Sequence, residues 1–185
     1  VYDAVLLPAL YYAEQDQRRH NLSAEEAHFI YQATSELVDN LGAFQAAPSA
    51  VAVPVAPEED AAMVLSSPVR ILACPAHDEA DAVAVQMFQH VLDPRRFAVE
   101  CTKTTLLTAE VLSLVQETSP EIVCIGLVPP GGFAQTRYLC KRLRARFPEL
   151  PIVVGCWGGP KDEVEHLARL RLDSIAHTST TLLET

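Results

Sequence analysis

The stretch Cys74-Pro75-Ala76-His77-Asp78-Glu79-Ala80-Asp81 gathers an imidazole and three carboxylates into five consecutive positions from His77 to Asp81 apart from Ala80. His77 is a candidate metal ligand through a ring nitrogen, and Asp78, Glu79 and Asp81 carry oxygens that could join it. The bland alternative is that Asp78 and Glu79 open a helix, where carboxylates meet the positive end of the backbone dipole. Two other stretches have the texture of ligand loops, Gly126-Leu127-Val128-Pro129-Pro130-Gly131-Gly132 and Gly155-Cys156-Trp157-Gly158-Gly159-Pro160. Their glycines permit close approach to the backbone, and Trp157 either stacks on a flat ligand or seals neighbouring helices onto the domain. Cys74, Cys124 and Cys156 belong to the apolar runs of the first, third and fourth expected strands or their ends. A thiol redox or thiolate metal cluster is one reading of them, and buried apolar filler is the other.

The elements that must position these loops follow from the hydrophobic pattern. After Pro68, short apolar runs alternate with amphipathic stretches, the pattern of a parallel sheet covered on both faces. Strands are expected at Val69 to Cys74, Phe97 to Cys101, Ile122 to Gly126, Pro151 to Gly155 and Ser174 to His177. Helices are expected at Glu79 to Leu92, Ala109 to Glu117, Phe133 to Phe147 and Lys161 to Arg169, with a short turn near Leu183. Five such units joined by right-handed crossovers give an α/β domain of flavodoxin-like strand order 2-1-3-4-5, with its ligand crevice where the winding reverses. The three loops above fall at that crevice.

Ahead of this domain, residues 1–42 read as a helical hairpin. Val5, Leu6, Leu10 and Ala13 form one apolar stripe, and Ala27, Phe29, Ile30, Ala33, Leu37 and Leu41 a second. Ser23 and Glu26 fit a capping box at the start of the second helix, and Gly42 is expected to close it. Residues 43–67, rich in Ala, Pro and Val, read as a linker, and the α/β domain occupies 68–185.

The chain has 185 residues and a net charge of −10, which argues against nucleic acid as a partner. Five cysteines without CxxC spacing indicate reduced, buried thiols in a cytosolic setting rather than a disulfide framework. No apolar run reaches the ~18 residues a membrane helix needs, and with no Met at its start the chain reads as a piece of a longer protein. Other chemistries that share the fold lack their parts. Gly126 and His177 stand where a phospho-receiver needs Asp and Lys, and no GxGxxG or P-loop follows the first strand. Arg137, Lys141, Arg142, Arg144 and Arg146 give one helix a basic face, either solvated or suited to anionic lipid or an acidic neighbour.

The opening loop resembles that of cobalamin-binding domains, whose Asp-x-His-x-x-Gly supplies a histidine as lower cobalt ligand. On this chain the histidine falls on His77, followed by Asp78. Pro75 replaces the orienting Asp, Ala80 the glycine, Gly126-Leu127-Val128 the Ser-x-Leu, and Gly155-Cys156 the Gly-Gly of that family. The hairpin is similar to the cap of cobalamin-dependent photoreceptors and corrinoid proteins, with Pro8-Ala9-Leu10 and Glu14 in place. Asp16 stands where the corrin-stacking tryptophan would be and Ala27 where the upper histidine would be. A working relative would bind cobalamin, with cobalt on His77 and with Asp78, Gly126, Val128, Gly155 and Trp157 around the cofactor.

Over its whole length the chain also resembles the soluble C-terminal region of autoinducer-2 exporter type permeases of bacteria. The resemblance rests on Tyr2 to Leu10, Pro75 to Asp81 and Arg137 to Pro148. It implies a cytoplasmic module tethered to the inner membrane by a permease domain in the same chain, with self-association as a further partner. With most ligand positions replaced, the expectation is a non-enzymatic regulatory or interaction module without a cofactor and without catalytic residues. A functional cobalamin sensor and a thiol redox sensor are the alternatives.

Overall fold

The computed structural model describes residues 1–46, 67–104, 106–160, 162 and 177–185. Five parallel strands form one sheet: β1 (Val69–Pro75), β2 (Phe97–Cys101), β3 (Ile122–Leu127), β4 (Ile152–Cys156) and β5 (His177–Ser179), in the order β2-β1-β3-β4-β5. The central strands are buried on both faces, which is why they read as continuous apolar runs rather than alternating ones. In register, Ala73 faces Cys124, Cys74 faces Ile125, and Gly126 faces Gly155.

The hairpin opens with a π-helical turn, Tyr2–Leu6, running into α1 (Leu7–Arg18), and returns as α2 (Ala24–Ala46). It packs with α3 (Glu79–Val91) on one face of the sheet, joining Leu7, Leu10, Tyr31, Val38, Met87 and Phe88 to Ile71, Ala73 and Cys124 in one core. The other face is covered by α4 (Thr108–Thr118) and α5 (Phe133–Arg146), whose Val111, Val115, Leu139 and Leu143 meet Leu72, Ile125 and Val154. A 3₁₀ turn, Leu182–Glu184, returns to the start of the chain, where the Leu182 amide donates to Asp3 Oδ1 at 2.9 Å.

The capping box forms as expected. The Ser23 amide donates to Glu26 Oε2 at 2.9 Å and the Glu26 amide to Ser23 Oγ at 3.2 Å. Two boundaries differ from the expected ones by more than a single residue. α2 runs through Gly42 to Ala46, because Gly42 is a packing residue and not a stop: a Cβ there would lie 2.6 Å from Cε1 of His90. β5 runs on to Ser179, opposite Gly155, two residues past its expected end at His177. The expected helix at Lys161 to Arg169, most of the linker and the first part of the expected fifth strand lie outside the described residues.

Candidate functional site

The turn from β1 into α3 is built by two aspartates. Asp78 caps α3, its Oδ1 accepting the Asp81 amide at 3.2 Å. Its Oδ2 lies 3.0 Å from His77 Nδ1, so the imidazole has a carboxylate partner on that nitrogen. Pro75 replaces the aspartate of the family motif, yet Asp78 supplies an orienting carboxylate from the other side. With Nδ1 held, Nε2 is the nitrogen available to a metal, the usual division of labour in a ligand histidine. His77 is 44% exposed in its side chain, open enough to meet a ligand.

Asp81 is nearly completely buried. Its Oδ1 accepts the Val128 amide at 2.6 Å and its Oδ2 the His77 amide at 2.9 Å. One carboxylate therefore ties the loop after β1 to the end of β3, across the point where the sheet winding reverses. Burial, aided by the nearby Asp78 charge, pushes its pKa well above the usual carboxylate range, and the donated amides pull the other way. Glu79 is drawn off to His28, whose Nδ1 lies 2.6 Å from its Oε2. Among the described residues no three His, Cys, Asp or Glu side chains are arranged to hold a metal ion.

Trp157 lies across the sheet face at the ends of β3 and β4, fully buried. Its ring stacks on Phe88 of α3 at 5.5 Å between centroids and 26° between planes, and its Nε1 donates to Thr185 Oγ1 at 3.1 Å. Gly126 and Gly155 form the floor of this slot. A Cβ on Gly126 would stand 2.4 Å from the indole, and one on Gly155 would stand 2.2 Å from it. The space over Gly126 and Gly155, which the resemblance to cobalamin-binding domains assigns to a cofactor, is filled here by a side chain of the protein. Of the two roles open to Trp157, it takes the sealing one, sharing a core with Leu7 and Leu10 of the hairpin. Gly158 holds φ +81, and a Cβ there would come within 2.7 Å of the Leu7 carbonyl, so this glycine lets the chain pass under the start of α1.

The hairpin adds a polar cluster over the loops. Glu14 is buried on α1 and accepts from the Tyr31 hydroxyl at 2.5 Å, with Arg18 Nε 3.8 Å from its Oε2. Burial raises the Glu14 pKa, and the Tyr31 hydrogen bond opposes that rise. The Arg18 guanidinium covers Gly131 of the loop after β3, where a Cβ would be 2.5 Å from Nη2. Asp16 instead closes the hairpin turn, its Oδ1 accepting from Asn21 Nδ2 at 3.3 Å, and Ala27 is buried in the core. Sequence reasoning named Asp81 only as a possible metal ligand and missed its role in tying the two loops together, and it missed the Glu14–Tyr31 pair. Their only sequence signal is an acid standing on an otherwise apolar helical stripe.

The cysteines do not converge. Cys124 faces the core under α3, whereas Cys74 and Cys156 face the core under α4 and α5. Burial pushes the Cys74 and Cys140 thiols up to about 12 and drives Cys124 higher still.

Strand order, crossovers and the hairpin together define a flavodoxin-like α/β domain with a helical cap. No protein-family model and no curated protein matches the chain. Among solved structures it is similar to a novel cobalamin-binding protein from Desulfitobacterium hafniense. That likeness has 13% identity and a TM-score of 0.45, and covers 94% of this chain and 72% of the other. Among the described residues no helix is long and apolar enough to cross a membrane.

Proposed function

We propose that this chain is a non-enzymatic regulatory or interaction module in which a cobalamin-type crevice has been closed by the protein's own side chain. The observation that carries the reading is the indole of Trp157 seated over Gly126 and Gly155, with Phe88 stacked on it. A cofactor cannot share that space, and evicting a fully buried tryptophan costs about 3–5 kcal/mol of the roughly 5–15 kcal/mol that hold a domain folded. The resemblance of residues 1–185 to the soluble region of autoinducer-2 exporter type permeases supports attachment to a membrane permease domain in the same chain, on the cytoplasmic side.

The test is to mix the protein with hydroxocobalamin, desalt it and record the visible spectrum. The expected result is no retained corrin absorbance. Retention that disappears in His77→Ala would overturn the proposal in favour of a cobalamin sensor. That second reading has one observation of its own, the Asp78 carboxylate on His77 Nδ1, which prepares Nε2 for a metal. The third reading, thiol redox sensing, predicts a thiol count that falls after peroxide. The placement of Cys124 on the opposite sheet face from Cys74 and Cys156 speaks for an unchanged count.

A further inference from the structure

On the sheet face away from the hairpin, a crevice of about 240 Å³ opens between the loop after β2 and α5. His77, Thr102, Lys103, Thr104, Leu107 and Tyr138 line it. Its lining includes two exposed large apolar side chains, Leu107 at 70% and Tyr138 at 56% exposure. Thr102, Thr104 and Thr108 add hydroxyls to its lining, and Lys103 is exposed.

The helix that forms one side of this crevice is the most basic part of an acidic molecule. Five of the chain's 14 Lys and Arg residues fall between Arg137 and Arg146, with no acid among them, while the net charge is −10. A solvated helix usually intersperses opposite charges at i,i+4, and here Arg137 with Lys141 and Arg142 with Arg146 are like-charge pairs at that spacing. Among the described residues, Arg137, Lys141 and Arg142 are exposed and have no carboxylate within ion-pair distance. Repulsion left uncompensated within the fold is relieved by an anionic partner.

From the crevice and the charge together, we propose that α5, Thr102 to Thr104 and Leu106 to Thr108 bind an acidic peptide segment of a partner protein, with an apolar side chain of the peptide seated between Leu107 and Tyr138. Concavity separates this occupant from an anionic bilayer, because a flat headgroup layer does not enter a crevice lined by hydroxyls. The proposal rests on the reading of the chain as an interaction module and names the chemistry of its partner.

The experiment is fluorescence anisotropy with a labelled peptide of alternating Glu and Asp around a single Phe, compared with its Gln and Asn counterpart. Binding is expected for the acidic peptide alone, weakening with salt. Exposed charge reversals, Lys103→Glu and Lys141→Glu, are expected to weaken it about tenfold each, and Tyr138→Ala to weaken it at unchanged charge. Circular dichroism checks that each variant remains folded. Failure of the acidic peptide to bind, or equal binding by the variants, overturns the proposal. So does tighter binding to phosphatidylglycerol vesicles that Tyr138→Ala leaves untouched, which would assign the basic face to a bilayer. Retained cobalamin would defeat the closed-crevice reading without altering the peptide result, so the two failures are distinguishable.

Discussion

Truncating Trp157 to Ala leaves a hole floored by two glycines and roofed by Phe88, which no neighbouring Cβ is placed to fill. The expected cost is about 3–5 kcal/mol, read from chemical denaturation, and a loss under 1 kcal/mol would mean that the slot collapses easily. Asp81→Asn places an amide NH2 against a backbone N–H at one of its two oxygens, Val128 or His77. A loss of about 1–3 kcal/mol is expected from the same measurement. For the thiols, Cys101 is exposed, against the expectation that all five are buried, so a neutral-pH alkylating agent should label native protein there alone, and slowly, because partial desolvation of the thiol and the Glu100 charge push its pKa up to about 11. All five cysteines should react in denaturant. At this scale the sequence exposed the loop histidine and the loop glycines, but not what the glycines are for. A glycine signals close approach without naming the approaching group, and nothing in local spacing shows that Trp157 turns back over Gly126 and Gly155.

Among the elements, the strands were the most legible, because burial on both faces leaves uninterrupted apolar runs that Pro and Gly punctuate. The two larger boundary differences have separate physical origins. Gly42 was read by its local backbone freedom, whereas its role is set by His90 of another helix, 48 positions later in sequence. β5 runs past its expected end because a short edge strand carries too little periodicity to mark where pairing stops. The cap element carries its own prediction through Glu14. Its folded pKa is raised above the unfolded value by burial, so its contribution to stability is complete below the ordinary glutamate pKa and is lost as pH rises through the raised value. Glu14→Gln keeps an acceptor for Tyr31 and removes the titration. Urea unfolding across mildly acidic to neutral pH should therefore show the wild type falling relative to the variant as pH rises. A constant difference between the two curves would show that Glu14 does not titrate differently on folding.

At the scale of the whole molecule, hairpin and sheet share one core, with Leu7 and Leu10 of α1 meeting the same cluster as Phe88 and Trp157. A fragment beginning at Ser67 would expose that cluster and is expected to bind a hydrophobic dye and lose its cooperative unfolding transition. Cooperative unfolding of the fragment would instead show that the sheet stands alone. The linkage of cap to sheet was legible only as two separate stripes of apolar residues, since no local pattern states which surfaces will meet. The glycine-floored slot has a further use. Because its shape is that of an indole held by stacking and one hydrogen bond, Trp157→Gly should yield a protein whose folding depends on free indole added to the medium, a dose-controlled switch made by lending the molecule back the fragment it lost.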